Sequence, residues 1–364
     1  MKITINKKMD KSVAARGRIV KLLIPRAGMT YFKVGNAVLD KLLTGRKLKK
    51  YFTDEVYIER GDGTTIRTLL YSRRGVKEAE EFTSKHPDAG SKIAVERKRA
   101  ESAKIKSENA TATESKTNKS SRPAFLWIHG GGYAMGIPEQ EFYFINRILE
   151  AIDAVVISPE YTRSVDAPYP KALEDCYCAL KWLKENAEDL GADPDRIFVG
   201  GDSAGGGLTA AISLYARDKG EVNIAYQMPL YPMLDDRPTR SNVDNKTPCW
   251  DSQSNDKAWK LYLGDLYRTD KVPYYAAPAR AEDLAGLPPT LTYVGDIEPF
   301  YAETVDYVER LRKAGVPTEF RVYPGCYHGF DVICPDTEPG KDAIEFFRNG
   351  LVHAAENLVA KQKN

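Results

Sequence analysis

Cysteine is scarce in this sequence of 364 residues. The five cysteines are Cys176, Cys178, Cys249, Cys326 and Cys334. Their number is odd and none forms a C-x-x-C pair, so the pattern indicates neither a disulfide-rich secreted fold nor a structural metal site. A chain with so few cysteines is typical of a reducing compartment, and we expect a cytoplasmic protein.

Long apolar runs and a large net charge are also missing. No stretch reaches the roughly 18 apolar residues of a transmembrane helix, and Met1 to Arg18 is basic without the apolar core of a secretory signal. Lysine and arginine total 53 against 51 aspartates and glutamates, which gives a net charge of +2. That balance argues against nucleic-acid binding through bulk charge. We therefore expect neither a membrane span nor a nucleic-acid partner.

The order of the segments predicts an α/β fold. Two β-prone runs, 56–60 and 65–71, flank Gly61-Asp-Gly63 and predict a hairpin. Short apolar strands then alternate with helical patterns, at 124–128, 154–158, 196–200, 224–228, 289–294 and 318–323. This alternation predicts a mostly parallel sheet of eight strands with helices on both faces. Ligands of such sheets bind beyond the carboxyl ends of the strands.

Three segments depart from this alternation. Residues 1–50 are basic with helical apolar patches, which fits either a solvated amphipathic arm or part of a lid. Residues 75–121 are dominated by Lys, Glu, Ser, Thr and Ala, and such a composition cannot bury enough apolar surface to order itself, so we expect a polar, mobile insert. Residues 236–280 are polar and rich in aromatics, and predict an insertion with one or two helices.

Gly201-Asp-Ser-Ala-Gly205 is the stretch with the clearest chemical meaning. It follows an apolar strand and precedes a helical run of small residues. Strand, turn and helix are the context in which G-x-S-x-G holds a nucleophile. The two flanking glycines lack a Cβ, which a crowded turn requires. Ser203 is therefore the candidate nucleophile.

A serine needs a base and an acid that orients the base. Only four histidines are available: His86 lies in the predicted insert, His353 on the C-terminal helix and His129 in a His-Gly-Gly-Gly turn. His328, on a glycine-flanked loop after the last strand, is the candidate base. The loop after the preceding strand offers two carboxylates, and the order serine, acid, histidine is that of α/β-hydrolases.

The two candidate acids are Asp296 and Glu298. Aspartate is the commoner residue type in this role, although an aspartate before a helix is also a common cap. Backbone amides are needed as well, because negative charge builds on the substrate carbonyl oxygen. Gly130, Gly131 and Ala204 are the candidate donors, since their amides can approach a ligand without a side-chain clash.

His129-Gly-Gly-Gly132 together with Gly201-Asp-Ser-Ala-Gly-Gly206 resembles the hormone-sensitive-lipase-like branch of α/β-hydrolases, the bacterial family IV esterases. The match runs from about Phe125 to Asp331 and is looser over 236–280. The resemblance implies an α/β-hydrolase catalytic domain at 51–364 and a helical cap built from 1–50 and 236–280. It also implies hydrolysis of short acyl esters without a cofactor or metal.

Two features depart from the family pattern. The family has Asp-Pro-Leu at the acid, whereas this chain has Glu298-Pro-Phe300, and the insert at 75–121 is not part of the usual core. The register of that motif favours Glu298 as the acid over Asp296. With Ser203 and His328, Glu298 completes the triad that the resemblance implies.

Two other functions share this pattern. An amide or N-acetyl hydrolase uses the same triad chemistry, and the sequence does not separate it from an esterase. A non-catalytic small-molecule receptor is the other alternative, because the plant gibberellin receptor resembles the same family but lacks the catalytic histidine. The presence of both Ser203 and His328 argues against the receptor. The expected partner is a small ester, and a homodimer is compatible with the sequence.

Overall fold

The computed structural model describes residues 8–23, 28–73 and 121–362. The insert predicted at 75–121 therefore falls, apart from Ser121, outside the described residues. Within them no helix is long and apolar enough to cross a bilayer.

A single sheet of eight strands forms the centre of the described chain. The strands are β1 Phe52–Glu59, β2 Thr65–Ser72, β3 Pro123–Ile128, β4 Val155–Pro159, β5 Asp193–Asp202, β6 Tyr226–Leu230, β7 Thr290–Gly295 and β8 Thr318–Tyr323. Their order across the sheet is β1-β2-β4-β3-β5-β6-β7-β8. Only β1–β2 and β2–β4 pair antiparallel, and the other neighbours are parallel. The predicted mostly parallel α/β sheet is confirmed.

Helices cover both faces of this sheet. They are α1 Lys11–Leu23, α2 Met29–Leu43, α3 Phe142–Ala151, α4 Lys171–Asn186, α5 Ala204–Lys219, α6 Ser252–Leu263, α7 Tyr301–Lys313, α8 Phe330–Ile333 and α9 Glu338–Asn357. Alternate residues of a strand point to opposite faces. In β3, Leu126 joins the apolar cluster under α4 and α5, whereas Trp127 joins the cluster under α3 and α9. The sheet thus separates two cores.

Local sequence signals set most of the boundaries. Thr318–Tyr323 is the strand expected from its β-prone residues, and the hairpin pairs Val56 with Thr68 and Ile58 with Ile66. Other ends differ by a few residues. The strand predicted at 224–228 lies at Tyr226–Leu230, and the expected C-terminal helix spans Glu338–Asn357. The short helix Phe330–Ile333 has too few residues to show a helical period in the sequence.

Three helices from the segments predicted as a cap contact loops at the carboxyl ends of the strands. Asn36 of α2 donates to Ala134 O at 3.0 Å and accepts from Gly136 N at 3.1 Å, in the loop after β3. Tyr262 of α6 stacks on Tyr133 of the same loop with ring centroids 3.9 Å apart. Gly17 of α1 packs against the His328 loop, where an added Cβ would lie 2.8 Å from the neighbouring Tyr327 ring.

Candidate active site

Ser203 sits at a sharp turn between β5 and α5. Its backbone has φ 56° and ψ −118°, a region that non-glycine residues rarely occupy. Two hydrogen bonds hold this geometry, from Ser203 N to Leu230 O and from Met233 N to Ser203 O, each 3.0 Å long. The strained residue is thus fixed by the end of β6, and such strain concentrates at functional positions.

The glycines on either side of this serine are sterically required. A Cβ at Gly201 would lie 2.5 Å from Ile128 O, and a Cβ at Gly205 would lie 2.1 Å from the same atom. No side chain fits at these distances, so the end of β3 can approach the turn only because both positions are glycine. This explains the spacing of the G-x-S-x-G pattern in physical terms.

The structure brings Ser203, His328 and Glu298 together from three loops at the same edge of the sheet. His328 Nε2 lies 2.8 Å from Ser203 Oγ. The other ring nitrogen, Nδ1, is hydrogen-bonded to Glu298 Oε2. The carboxylate therefore orients the imidazole toward the hydroxyl, the arrangement in which a histidine can take up a serine proton.

Packing and backbone contacts restrict the motion of this pair. Glu298 is fully buried, and its second oxygen accepts from Gly295 N at 2.9 Å. The rings of Tyr231 and Phe300 meet the imidazole edge-on, with centroids 5.0 and 4.9 Å from that of His328. These contacts fix the position of the ring from both sides.

Asp296 occupies a different place. Its Oδ1 accepts from Gly325 N at 2.6 Å, and its own N–H donates to Tyr323 O at 3.1 Å. Both contacts tie the loop after β7 to the loop after β8. Of the two candidate acids, Glu298 is the one hydrogen-bonded to His328.

The loop after β3 turns back sharply over the carboxyl end of β5. Gly131 has φ 116°, and a Cβ there would lie 1.9 Å from Met135 O. Gly132 has φ 62° and packs against Trp250, whose ring would lie 2.4 Å from an added Cβ. In the described chain, the amides of Gly131 and Ala204 make no hydrogen bond to a backbone or side-chain acceptor.

His129 is a structural residue of this loop. Its ring is buried and stacks on Tyr161 with centroids 4.1 Å apart. Nδ1 is hydrogen-bonded to Gly130 O at 2.8 Å, and Gly136 passes so close that an added Cβ would lie 2.5 Å from that nitrogen. Burial lowers the pKa of His129 to about 4, so the imidazole is neutral at physiological pH. His353, by contrast, is exposed on α9, and His86 lies outside the described residues.

Two buried carboxyl groups behind Ser203 were not expected from the sequence. Glu141 accepts from Trp127 Nε1 at 2.8 Å and from Gln140 Nε2 at 3.1 Å, and it faces Asp202. Burial, and then the charge of Glu141, raise the pKa of Asp202 well above its ordinary value. Burial raises the pKa of Glu141, and the hydrogen bond from Trp127 opposes that rise.

Asp331 is a third buried carboxyl, three residues beyond His328. Tyr293 Oη donates to Asp331 Oδ2 at 2.6 Å, and Tyr143 Oη donates to the Asp331 carbonyl at 2.5 Å. Burial raises the pKa of Asp331 to about 6, and the Tyr293 hydrogen bond opposes that rise. The group anchors the His328 loop to β7 and α3.

No group of three or more metal-binding side chains occurs among the residues that the model describes.

Comparison with known proteins places this geometry in a family. A family model described as the alpha/beta hydrolase fold matches residues 125–332, which is more than half of the chain. The matched range includes the loop after β3, Ser203, Glu298 and His328.

Curated relatives carry esterase names. The chain is 36% identical over 210 residues to Esterase LipI of Mycobacterium tuberculosis (strain ATCC 25618 / H37Rv), covering 57% of this chain and 65% of that protein. It is 34% identical over 212 residues to Carboxylesterase NlhH of the same strain, covering 57% of this chain and 66% of that protein. The match spans slightly less than two thirds of the length of each relative.

A solved structure extends the likeness to nearly the whole chain. The Bacterial Heroin Esterase superposes with a TM-score of 0.77 at 28% identity, covering 97% of this chain and all of that chain. The resemblance to hormone-sensitive-lipase-like esterases is thereby confirmed, and this chain belongs to the alpha/beta hydrolase fold family.

Proposed function

We propose that this protein is a serine carboxylesterase that hydrolyses esters of short, acetyl-like acyl groups. The observation that carries the proposal is the continuous hydrogen-bonded chain from Ser203 Oγ through His328 to Glu298. The esterase names of its relatives support an ester as the bond that is cleaved.

In this proposal Ser203 is the nucleophile. Its hydroxyl proton passes to His328 Nε2 as Oγ attacks the ester carbonyl, and His328 returns the proton to the departing alcohol. Glu298 keeps the imidazole in the tautomer that accepts the proton and stabilises the imidazolium that forms. Water, activated by the same histidine, then hydrolyses the acyl-enzyme and restores Ser203.

Gly131 and Ala204 supply the amides that stabilise the oxyanion in this proposal. Ala204 is the first residue of α5, so its N–H is one of the unpaired donors at a helix start. Gly130, on the same loop as Gly131, is the third proposed donor.

The preference for short acyl groups rests on the aromatic residues above the site. Trp250 packs on Gly132, and Trp259 and Tyr262 pack against Tyr133, all of them largely buried. These rings fill space next to the proposed oxyanion site. We infer that the segments 1–50 and 236–280 act as the cap that closes over a small acyl pocket.

The test is hydrolysis of matched 4-nitrophenyl esters and 4-nitroanilides by wild type, Ser203→Ala and Ser213→Ala. Ser213 is a buried serine on α5 that donates to Thr209 O at 2.9 Å, which makes it a matched control for the loss of a hydroxyl. We expect a loss of about 10⁴-fold or more in Ser203→Ala and little change in the control, because triad members act as a unit.

Substrate choice separates the alternatives in the same assay. Faster cleavage of the acetanilide than of the acetate ester would assign the site to amide hydrolysis. Tight binding of esters without any turnover in the wild type would assign it to a receptor. Turnover of Ser203→Ala within about tenfold of wild type would exclude Ser203 as the nucleophile.

A further inference from the structure

Positive charge is concentrated at one end of the chain. The first 50 residues contain 14 of the 53 lysines and arginines but only two of the 51 acidic residues. Both acids are engaged locally, since Asp10 accepts from Ser12 N at 2.8 Å and Asp40 pairs with Arg163 at 3.1 Å. The net charge of +2 is therefore the sum of a strongly basic N-terminal segment and an acidic remainder of the chain.

The same segment carries exposed large apolar side chains. Six of the ten exposed large apolar side chains among the described residues lie on α1 and α2: Ile19, Leu22, Met29, Val34, Val38 and Leu42. Leu22 is 85% exposed. Scattered apolar residues are normal on protein surfaces, but such a concentration on two helices marks an interaction surface.

On α2, apolar and basic residues share the outward face. Val34, Val38 and Leu42 recur every four residues, which places them in one stripe along the helix. Lys33 and Lys41 are exposed beside that stripe. Phe32 and Asn36 lie on the opposite face and are buried against the body of the protein.

α1 repeats this arrangement. Ile19 and Leu22 are exposed one turn apart, with Arg18 exposed beside them. The nearby Lys21 ammonium donates to Lys246 O. Val13 and Gly17 form the inward face, and Val13 belongs to the core cluster on one side of the sheet. Both helices are therefore anchored by one side and leave a basic, apolar side in solvent.

We propose that the outward faces of α1 and α2 bind the surface of an anionic phospholipid membrane. A helix lying in the headgroup region buries its apolar side chains while flanking lysines and arginines contact lipid phosphates. The side chains listed above meet both requirements. The inference concerns an interaction surface and stands independently of the proposed esterase function.

The charge of this surface disfavours the other occupants. A twofold interface with a second copy would set the same patch against itself and bring lysines close to lysines. Nucleic acid offers phosphates to the lysines, but its exposed backbone gives no apolar partner to Val34, Val38 or Leu22. An anionic lipid surface is complementary to both kinds of side chain.

The experiment measures binding of the full chain to vesicles of phosphatidylcholine, with or without phosphatidylglycerol, by co-sedimentation. The double variant Lys33→Glu/Lys41→Glu reverses the charge at two positions of α2. The double variant Val34→Ser/Val38→Ser removes apolar surface from the same helix. The matched controls are Lys181→Glu/Lys313→Glu, on exposed lysines of α4 and α7, and Val359→Ser, on an exposed valine near the C-terminus. Near-UV circular dichroism verifies folding, and a Ser203→Ala protein shows that binding does not require turnover.

We expect wild type and both controls to bind the phosphatidylglycerol vesicles, and each α2 double variant to bind about tenfold less tightly or worse. Raising the salt concentration from about 0.1 to about 0.5 M should release the wild type. Equal binding by the α2 variants and their controls, or no binding by wild type, would overturn the proposal. Loss of a dimer in Val34→Ser/Val38→Ser, seen by sedimentation, would assign the face to a second copy instead.

Discussion

Asp202 and Glu141 face each other in the interior behind Ser203, and burial raises the pKa of both carboxyl groups. The negative charge of Glu141 adds to burial in disfavouring ionisation of Asp202. The pair lies where the serine turn meets the loop after β3, because Asp202 precedes Ser203 and a Cβ added at Gly130 would lie 2.8 Å from Asp202 Oδ2. The positions of nucleophile and oxyanion loop are thereby linked.

This linkage predicts different results for two substitutions of Asp202. An asparagine still donates a hydrogen bond to Glu141, so Asp202→Asn should keep the fold and reduce kcat by less than about tenfold. Asp202→Ala removes that donor from the buried Glu141 side chain, and should lower the free energy of unfolding by about 1–3 kcal/mol. Urea denaturation and ester kinetics on both variants measure these effects. Equal stability of the two variants would contradict a stabilising contact between residue 202 and Glu141.

Glu298 and Asp296 should respond differently to the loss of charge. Glu298→Gln should lower kcat by about 10³–10⁴ because the amide no longer orients His328 or stabilises its protonated form. Asp296→Asn serves as the matched control two residues away, and its effect should fall mainly on stability, since Asp296 bonds the loop at Gly325. Steady-state kinetics and thermal melts separate the two. A larger loss of kcat in Asp296→Asn would make Asp296 the catalytic acid.

Asp331 should make stability depend on pH. Burial raises its pKa from 3.8 to about 6, so the folded protein retains a proton that the unfolded chain releases between these pH values. The contribution to stability is complete below about pH 4 and is lost as the pH rises to about 6, a change of about 3 kcal/mol.

The matching variant is Asp331→Asn, which should lose that part of the pH dependence of unfolding in urea. Asp270→Asn, at an exposed aspartate, is the control and should follow wild type. Parallel curves of unfolding free energy against pH for wild type and Asp331→Asn would show that Asp331 does not titrate in this range.

Trp250 should limit the length of the acyl group. Its ring packs on Gly132, next to the proposed oxyanion site. In Trp250→Ala, the acyl chain with the highest kcat/KM should therefore be longer than acetyl. The measurement is kcat/KM for a series of 4-nitrophenyl esters from acetate to decanoate. Trp182→Ala, on α4, is the control. An unchanged chain-length profile in Trp250→Ala would place the acyl pocket elsewhere.

Features that depend on neighbouring residues could be predicted from the sequence. The hairpin at 52–72, the strand Thr318–Tyr323 and the turn at Ser203 each arise from residues within a few positions of one another. No Cβ fits at position 201 or 205, and the G-x-S-x-G spacing already identifies both positions in the sequence. The fold class followed from the alternation of strands and helices, since parallel strands require crossover connections.

The sequence left two candidate acids, and the direction of their side chains in the structure distinguishes them. Asp296 and Glu298 are two positions apart on the same loop, so composition could not show which one would face His328. In the structure Glu298 points inward to the imidazole, whereas Asp296 bonds to the next loop. The difference depends on where β7 ends relative to β8, which is set by the packing of the whole sheet.

The sequence by itself determined the fold, the serine turn and the candidate histidine, because local spacing encodes turns and periodicity. Only the tertiary structure revealed the buried pair of Asp202 and Glu141, whose members lie on separate elements and whose pKa values are raised by burial. It also decided which faces of α1 and α2 are covered, since a helix with apolar residues on two sides does not specify in sequence which side meets the core.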